Sequence, residues 1–233
     1  NYGVQGFYWA RAAETLPGVS AVNMRFLGDK AVVKGPSDFT VPRNVAQWSH
    51  IWGRNQFKAI AAEEGFTHIL LEAELPILGG LYEQDLRREI AALQDAGVKV
   101  GTVAHGSDVR LPSLHRKLEP FSPFGESFPH LDAVEERVQR NHDLLDELGL
   151  PEFVSTPDLL QFRPNATWLP TVTDYDKWAG LDPSRLGERK PVVLHFPSNR
   201  PALKGAAHID AALSRLAEEG VIEYLRAVDI PVD

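Results

Sequence analysis

Residues 98–110 read VKVGTVAHGSDVR, a predicted strand (98–104) that is followed without a spacer by a polar turn. Upstream, the nearly continuous apolar run at 67–73 is typical of a strand buried on both faces of a sheet. A helix is predicted between these two strands by apolar residues at helical spacing, Leu86, Ile90 and Leu93. A strand–helix–strand unit of this kind predicts parallel strands joined by a crossover helix.

The alternation extends along the chain in both directions. Helices are predicted at 4–16, 45–64, 134–148 and about 209–216, and strands at 19–27, 153–155, 168–170, 192–196 and 222–227. Three stretches carry no such pattern: a turn-rich segment at 28–42, a proline-rich loop at 111–129 and a polar linker at 174–190. The predicted fold class is α/β, a Rossmann-like parallel-sheet domain followed by the beginning of a second Rossmann-like domain.

We expect two domains, at 1–186 (with its linker) and at 187–233. The second contains a single strand–helix–strand unit, and a unit of about 40 residues buries too little surface to be stable alone. We therefore expect residues to be missing at both ends of the chain, most of them at the carboxyl end. The alternative is that 187–233 packs on the first domain as extra layers.

The composition excludes several classes of function. The 233 residues include no cysteine, which rules out disulfides, thiolate metal sites and cysteine nucleophiles. The net charge of −8, without a long basic run, argues against a nucleic-acid partner. No apolar run is long enough to span a bilayer, and the first residues do not resemble a signal peptide. The simplest expectation is a cytoplasmic protein.

Ligands on parallel sheets bind at the carboxyl ends of the strands, in the loops that lead into helices. Three loops meet this description. The first is residues 1–6, where Gly3 and Gly6 at a helix start would expose backbone N–H groups to a phosphate or a sugar oxygen. The alternative is a simple turn that enters the helix, because the third glycine of the dinucleotide fingerprint is absent.

The second loop is the turn after the strand 98–104. His105 has the chemistry to bind a sugar hydroxyl or to orient a reacting group, and Gly106 allows close approach of the backbone. Ser107, Asp108 and Arg110 are candidates for the acceptor side of the cleft. The alternative is a tight turn held by an Asp108–Arg110 ion pair, with His105 bonded to the backbone.

The third loop, PSNRPALKG at 197–205, follows another predicted strand and precedes a helix. Arg200 and Lys204 would supply two cations to a diphosphate at the helix amino terminus. The remaining donor-binding candidates are Ser198, Asn199 and Gly205. The alternative is a surface loop with solvated charges.

Other features are interpreted as structural. We predict that most of the tryptophans (Trp9, Trp48, Trp52 and Trp168) lie in the core or in an interface. Glu72 and Glu74 follow a buried strand and, two positions apart, should face the same side, but the sequence shows no partner for them. The histidines lack metal-ligand spacing, so no metal is predicted.

The same segments resemble a known family. The block HGSDVRLPS at 105–113 resembles the HGSD-x-R segment of bacterial GT-B glycosyltransferases related to the large retaining family 4. The block LHFPSNR at 194–200, with Lys204-Gly205 and HIDAAL at 208–213, is similar to the start of their donor domain. Residues 155–160 and 168–170 are similar to the segment that leads to their linker.

The resemblance implies two Rossmann-like domains facing across a cleft, with the acceptor on the first and a nucleotide-sugar on the second. Arg200 and Lys204 would bind the donor diphosphate and stabilise the leaving nucleotide without a metal. His105 would contact the transferred sugar, beside the loop of Gly3 and Gly6. The co-substrate would be UDP- or GDP-linked, with no other cofactor. The two-glutamate segment that such enzymes carry late in the donor domain lies beyond residue 233, so we expect the chain as given to lack a complete donor site and to be inactive.

Three functional hypotheses follow. The first is transfer of a sugar, with retention, to a polysaccharide, lipid-linked or other cell-envelope acceptor. A peripheral contact with the membrane is compatible with this hypothesis. The second is a non-catalytic or split-subunit acceptor-binding module. The third is a sugar-nucleotide epimerase of the same fold. The sequence identifies neither the sugar, the base, the acceptor nor the oligomeric state.

Overall fold

The computed structural model describes residues 4–27, 35–125, 128–179, 189–197 and 201–227. Within these ranges the protein is an α/β chain with parallel sheets and a Rossmann-like alternation of strands and helices, which confirms the predicted fold class. Of the helices described, none is both long and apolar enough to cross a bilayer.

A four-stranded parallel sheet forms the centre of the fold. Its strands, in spatial order, are β3 (His68–Glu72), β4 (Lys99–Ala104), β5 (Glu152–Val154) and β6 (Thr167–Trp168). The order follows the sequence, so each successive strand is added on the same side of the sheet. Because the four strands run parallel, their carboxyl ends lie at the same edge.

Two apolar clusters pack this sheet against its helices. The first joins β3 and β4 to α4 (Leu86–Asp95) and α3 (His50–Ile60) through buried residues that include Ile60, Leu71, Ile90 and Leu93. The second joins β4 and β5 to α6 (Leu131–Leu148) and the 3-10 turn Pro157–Gln161 through Ala104, Val109, Leu145, Val154, Leu159 and Phe162. The predicted helical spacing of Leu86, Ile90 and Leu93 is confirmed, because all three are buried.

The amino-terminal part contains α1 (Gln5–Ala13), β1 (Met24–Leu27), β2 (Phe39–Pro42) and α2 (Arg43–Trp48). β1 and β2 form a separate parallel pair. β2 lies in the stretch 28–42 for which the sequence predicted no element. The helix predicted at 45–64 is two helices, since Ser49 adopts an extended backbone and its hydroxyl accepts a hydrogen bond from the Trp52 amide, starting α3.

Trp48, the last residue of α2, lies at the surface. Trp48 is 67% exposed and Ile51 is 77% exposed, so of the two places predicted for Trp48, the core or an interface, the core is excluded. Ile51 and the buried Ile60 both belong to α3, where nine positions at about 100° per residue place them on opposite faces of the helix. Trp168, 48% exposed, is also largely at the surface, whereas Trp9 is buried.

The loop predicted at 111–129 contains a further helix, α5 (Pro112–Leu118). Pro112 occupies the start of this helix, where its fixed φ and missing N–H are tolerated. The short helix α7 (Tyr175–Trp178) precedes the predicted domain boundary at 186, which lies outside the described residues.

The carboxyl-terminal part forms the predicted strand–helix–strand unit. β7 (Val192–His195) and β8 (Glu223–Arg226) pair in parallel, and α8 (Ala206–Glu218) connects them after a 3-10 turn at Pro201–Lys204. Alternate residues of β7, Val192 and Leu194, are each 57% exposed. One face of this two-stranded sheet is thus apolar and exposed.

Gly53 in α3 permits the close approach of the loop that follows β3. A methyl group at this position would lie 1.8 Å from the carbonyl oxygen of Leu78, which is fully buried. We predict that Gly53→Ala destabilises the protein by about 3 kcal/mol, although alanine is the better helix former. Urea unfolding measures this loss. Gly125→Ala is the control, because no atom lies within 4 Å of the added methyl group; equal effects of the two substitutions would contradict the prediction.

Candidate functional site

The carboxyl ends of β3 and β4 bring a histidine and a carboxylate together. Glu72 is the last residue of β3 and pairs in register with Val103 of β4. His105 follows two residues after Val103, so the side chains of Glu72 and His105 lie on the same face at the edge of the sheet. The Nε2 atom of His105 lies 3.3 Å from Oε2 of Glu72. Both side chains are 12% exposed. The low exposure strengthens the attraction between the two groups relative to a pair in water.

Glu72 approaches one ring nitrogen of His105. A carboxylate 3.3 Å from Nε2 favours a proton on that nitrogen, and it would balance the charge of an imidazolium form.

Trp9 covers this pair from α1. Its indole ring stacks on the His105 ring, with centroids 5.9 Å apart and planes inclined by 13°. The indole N–H donates a hydrogen bond of 2.8 Å to the carbonyl of Pro170. The Gln5 amide donates to the Val172 carbonyl and accepts from the Val172 N–H. These bonds attach α1 to the segment after β6 and hold an aromatic face against the imidazole.

Asp108 shapes the turn from inside. Its carboxylate accepts hydrogen bonds from the backbone N–H groups of His105, at 2.8 Å, and Gly106, at 2.6 Å. Gly106 has a φ of +129°, which disfavours other residue types. Asp108 is buried, so the structure places it beneath the turn, and the exposed residue of the turn is Ser107.

Arg110 has a different partner from the one considered from the sequence. Its guanidinium pairs with Asp158 on the 3-10 turn after β5, so the alternative of a turn held by an Asp108–Arg110 ion pair is wrong. Its Nη1 atom would lie 3.0 Å from a Cβ at Gly106. Arg110 thus packs against the turn and ties it to the segment after β5.

Glu74 is a buried acid with an unusual backbone. The strand ends at Glu72, and Ala73 and Glu74 then adopt left-handed φ values of +54° and +53°. Each such residue costs about 1–3 kcal/mol when it is not glycine. The expectation that Glu72 and Glu74 face the same side assumed a continuous strand, and the strand ends at Glu72. Glu74 is instead 9% exposed, and neither carboxyl oxygen has a hydrogen-bond partner among the described residues.

Burial, and after it the negative charge of Asp108, raises the pKa of Glu74 to about 8. Glu74 is therefore mostly a neutral carboxylic acid at pH 7. A neutral acid two residues after Glu72 adds a proton donor to this edge of the sheet.

The other predicted site residues are placed as follows. Gly6 lies in the first turn of α1, and Gly3 is outside the described residues. Lys204 is exposed at the end of the 3-10 turn, and Gly205, with φ of +65°, precedes the first residue of α8. Ser198, Asn199 and Arg200 are outside the described residues, so the proposed pair of cations, Arg200 and Lys204, stays a prediction.

The sequence reasoning missed a second histidine cluster, at the end of β7. His195 Nδ1 lies 2.9 Å from Oδ1 of Asp210 on α8 and 3.0 Å from the Tyr224 hydroxyl. The hydroxyl of Tyr224 and Nε of Arg226 also donate to Asp210. These donors hold the pKa of Asp210 below its usual value, Tyr224 first. The available signal was the position of His195 at the carboxyl end of a predicted strand.

The fold defines a Rossmann-like α/β chain, and comparison with known proteins adds no narrower class. No protein-family model, curated protein or solved structure matches this chain. In the ranges that the structure describes, no group of three or more His, Cys, Asp or Glu side chains is arranged to hold a metal ion.

We predict that Glu74→Gln stabilises the protein by an amount that grows with pH. The pKa of Glu74 is about 8 in the folded state and near 4.5 when unfolded, so the unfolded chain loses its proton first as pH rises. Stability therefore falls between pH 4.5 and 8, and the glutamine variant avoids this loss. The difference should reach about 3–5 kcal/mol at pH 9 and be small at pH 5.

Urea unfolding of both proteins at pH 5 and pH 9 measures this difference. The control is Glu147→Gln, since Arg87 lowers the pKa of the exposed Glu147 and that group does not titrate in this range. A Glu74→Gln effect of the same size at both pH values would show that Glu74 is ionised throughout.

Proposed function

We propose that the protein is a GT-B-type glycosyltransferase that moves a sugar from a nucleotide-sugar to a polysaccharide, lipid-linked or other cell-envelope acceptor. The observation that carries the proposal is the His105–Glu72 pair, stacked under Trp9 at the carboxyl edge of the sheet. Aromatic faces bind the apolar side of sugars, and paired carboxylate and imidazole groups bind their hydroxyls. The same residue, His105, carries the family resemblance of the turn.

His105 is proposed to bind a hydroxyl of the transferred sugar. Glu72 is a positioning residue in this scheme, because its carboxylate lies 3.3 Å from Nε2 and holds the imidazole beside the turn. Asp108 fixes the turn through two backbone bonds, so that the ring and the backbone of Gly106 keep their relative position.

The diphosphate of the donor is proposed to bind at the start of α8. Lys204 supplies a cation next to Gly205, and the helix amino terminus supplies a partial positive charge. Arg200 is proposed to supply the second cation. Together they would stabilise the charge that develops on the leaving nucleotide, and this requires no metal. Retention at the anomeric carbon is part of the same proposal, by analogy with the family that the motifs resemble.

We predict that the complete protein binds UDP- or GDP-sugars and that Lys204→Ala weakens this binding about tenfold. A charge-assisted hydrogen bond contributes roughly 1.5–3 kcal/mol, and about 1.4 kcal/mol corresponds to a factor of ten. Isothermal calorimetry with UDP-glucose and GDP-mannose measures the affinity. Lys58→Ala, at an exposed lysine of α3, is the control and should bind as the unsubstituted protein does.

His105→Ala should lower the rate of nucleotide release from the bound donor by at least about tenfold while changing the affinity less. Absence of binding to any UDP- or GDP-sugar, with the protein folded, would reject the transferase proposal. Release of nucleotide with an isomerised free sugar, in the absence of an acceptor, would identify an epimerase instead.

A further inference from the structure

Arg25 is a buried cation for which the described residues supply no counter-ion. It lies in β1 and is 9% exposed. Its Nε and Nη1 atoms are fully buried, and neither has a hydrogen-bond acceptor within the same described part of the chain. There, three of the five guanidinium N–H groups are therefore unsatisfied.

Arginine has no way to reduce the free-energy cost of this burial by itself. A buried carboxylic acid such as Glu74 takes up a proton and becomes neutral, but a guanidinium stays charged at every accessible pH. Burial of an unpaired charge costs several kcal/mol. Arg163, the other buried arginine in the described ranges, shows the usual solution: it pairs with both Asp146 and Glu152.

The carboxylate of Asp38, which lies just before β2, has partners other than Arg25. It accepts hydrogen bonds from Arg11, at 3.2 Å and 3.3 Å, and from the backbone N–H of Asn23, at 2.7 Å. Arg11 also pairs with Glu14. Neither of these two acids therefore supplies a counter-ion to Arg25.

The geometry of the strand places Arg25 on a definite face. Met24 contacts Gln56, and the ring of Phe26 meets that of Trp52, so residues 24 and 26 face α3. Arg25 therefore points to the opposite face of the β1–β2 sheet. Its register partner on β2 is Thr40, an exposed residue on that same face. A guanidinium and a neighbouring hydroxyl are a donor set that suits an oxyanion.

We propose that Arg25 and Thr40 form a binding site for an oxyanion, a phosphate or a carboxylate carried by a small ligand. The bound anion would compensate the charge that the fold buries. The site lies on the β1–β2 sheet rather than at the His105 edge. The proposed anion site is therefore tested independently of the transferase proposal.

The test compares the full chain with Arg25→Met, whose side chain has a similar length and no charge. Thermal unfolding is followed in chloride alone and after addition of sodium phosphate or sodium glucuronate at equal ionic strength. One of the two anions should raise the Tm of the unsubstituted protein by about 3 °C at ten times its Kd. The Tm of Arg25→Met should not respond. Which anion acts distinguishes a phosphoryl ligand from a carboxylate.

Two further variants separate binding from a structural role. In chloride alone, Arg25→Met should be as stable as the unsubstituted protein or more stable, since it removes an unpaired buried charge. Arg163→Met, which removes a paired arginine, should lower the Tm. Thr40→Val, which has nearly the shape of threonine, should fold and should respond less to the anion. If Arg25→Met does not fold, the response of Thr40→Val tests the proposed binding site.

Two results would overturn the proposal. One is the absence of any response of the unsubstituted protein to both anions. The other is an equal response of the unsubstituted protein and of Arg25→Met or Thr40→Val, which would place the anion elsewhere.

Discussion

The parallel pairing of β3 with β4 is the constraint on which the candidate site depends. Its register sets Glu72 opposite Val103, and the two strands therefore end within one residue of each other. Because both strands are covered by apolar clusters, the polar groups that follow them are confined to the edge. A slip of one residue would turn the side chain of Glu72 to the other face and separate it from His105. The site is thus a consequence of the core.

Two acids buried near this sheet, Glu89 and Glu74, differ in how the cost of their desolvation is compensated. Glu89 is 1% exposed, and its carboxylate accepts the backbone N–H groups of Ile77 and Leu78. Burial nevertheless raises its pKa to about 7, against the lowering effect of these bonds. Glu74 has no such donors among the described residues, and its pKa rises further. Hydrogen bonding distinguishes these two acids, and the negative charges of Asp108 and Glu152 add to the rise in the pKa of Glu74.

Much of the central fold was predictable from sequence. The strands of the four-stranded sheet have apolar runs or fall between turn signals, and α4 and α6 have clear helical spacing. The break at Ser49 was not predictable, because the apolar spacing continues across it and only the capping hydroxyl marks the new start. The prolines around α5 led to the prediction of a loop there, although proline is favourable at the start of a helix.

For the site, sequence reasoning identified His105 and Glu72 separately but not as a pair. They are 33 positions apart, and only the register of the two strands makes them neighbours. The left-handed turn at Ala73 and Glu74 has no sequence signal, because neither residue is glycine or asparagine. Tertiary packing, including the Glu89 bonds further along the loop, holds that conformation against its local cost.

The two histidines at strand ends, His105 and His195, each lie against a carboxylate, but at different ring nitrogens. Glu72 lies 3.3 Å from Nε2 of the first ring, whereas Asp210 lies 2.9 Å from Nδ1 of the second. The first carboxylate comes from the neighbouring strand β3, and the second comes from α8, the helix that follows β7. The parallel strand register therefore supplies the partner of His105, whereas the crossover helix supplies that of His195.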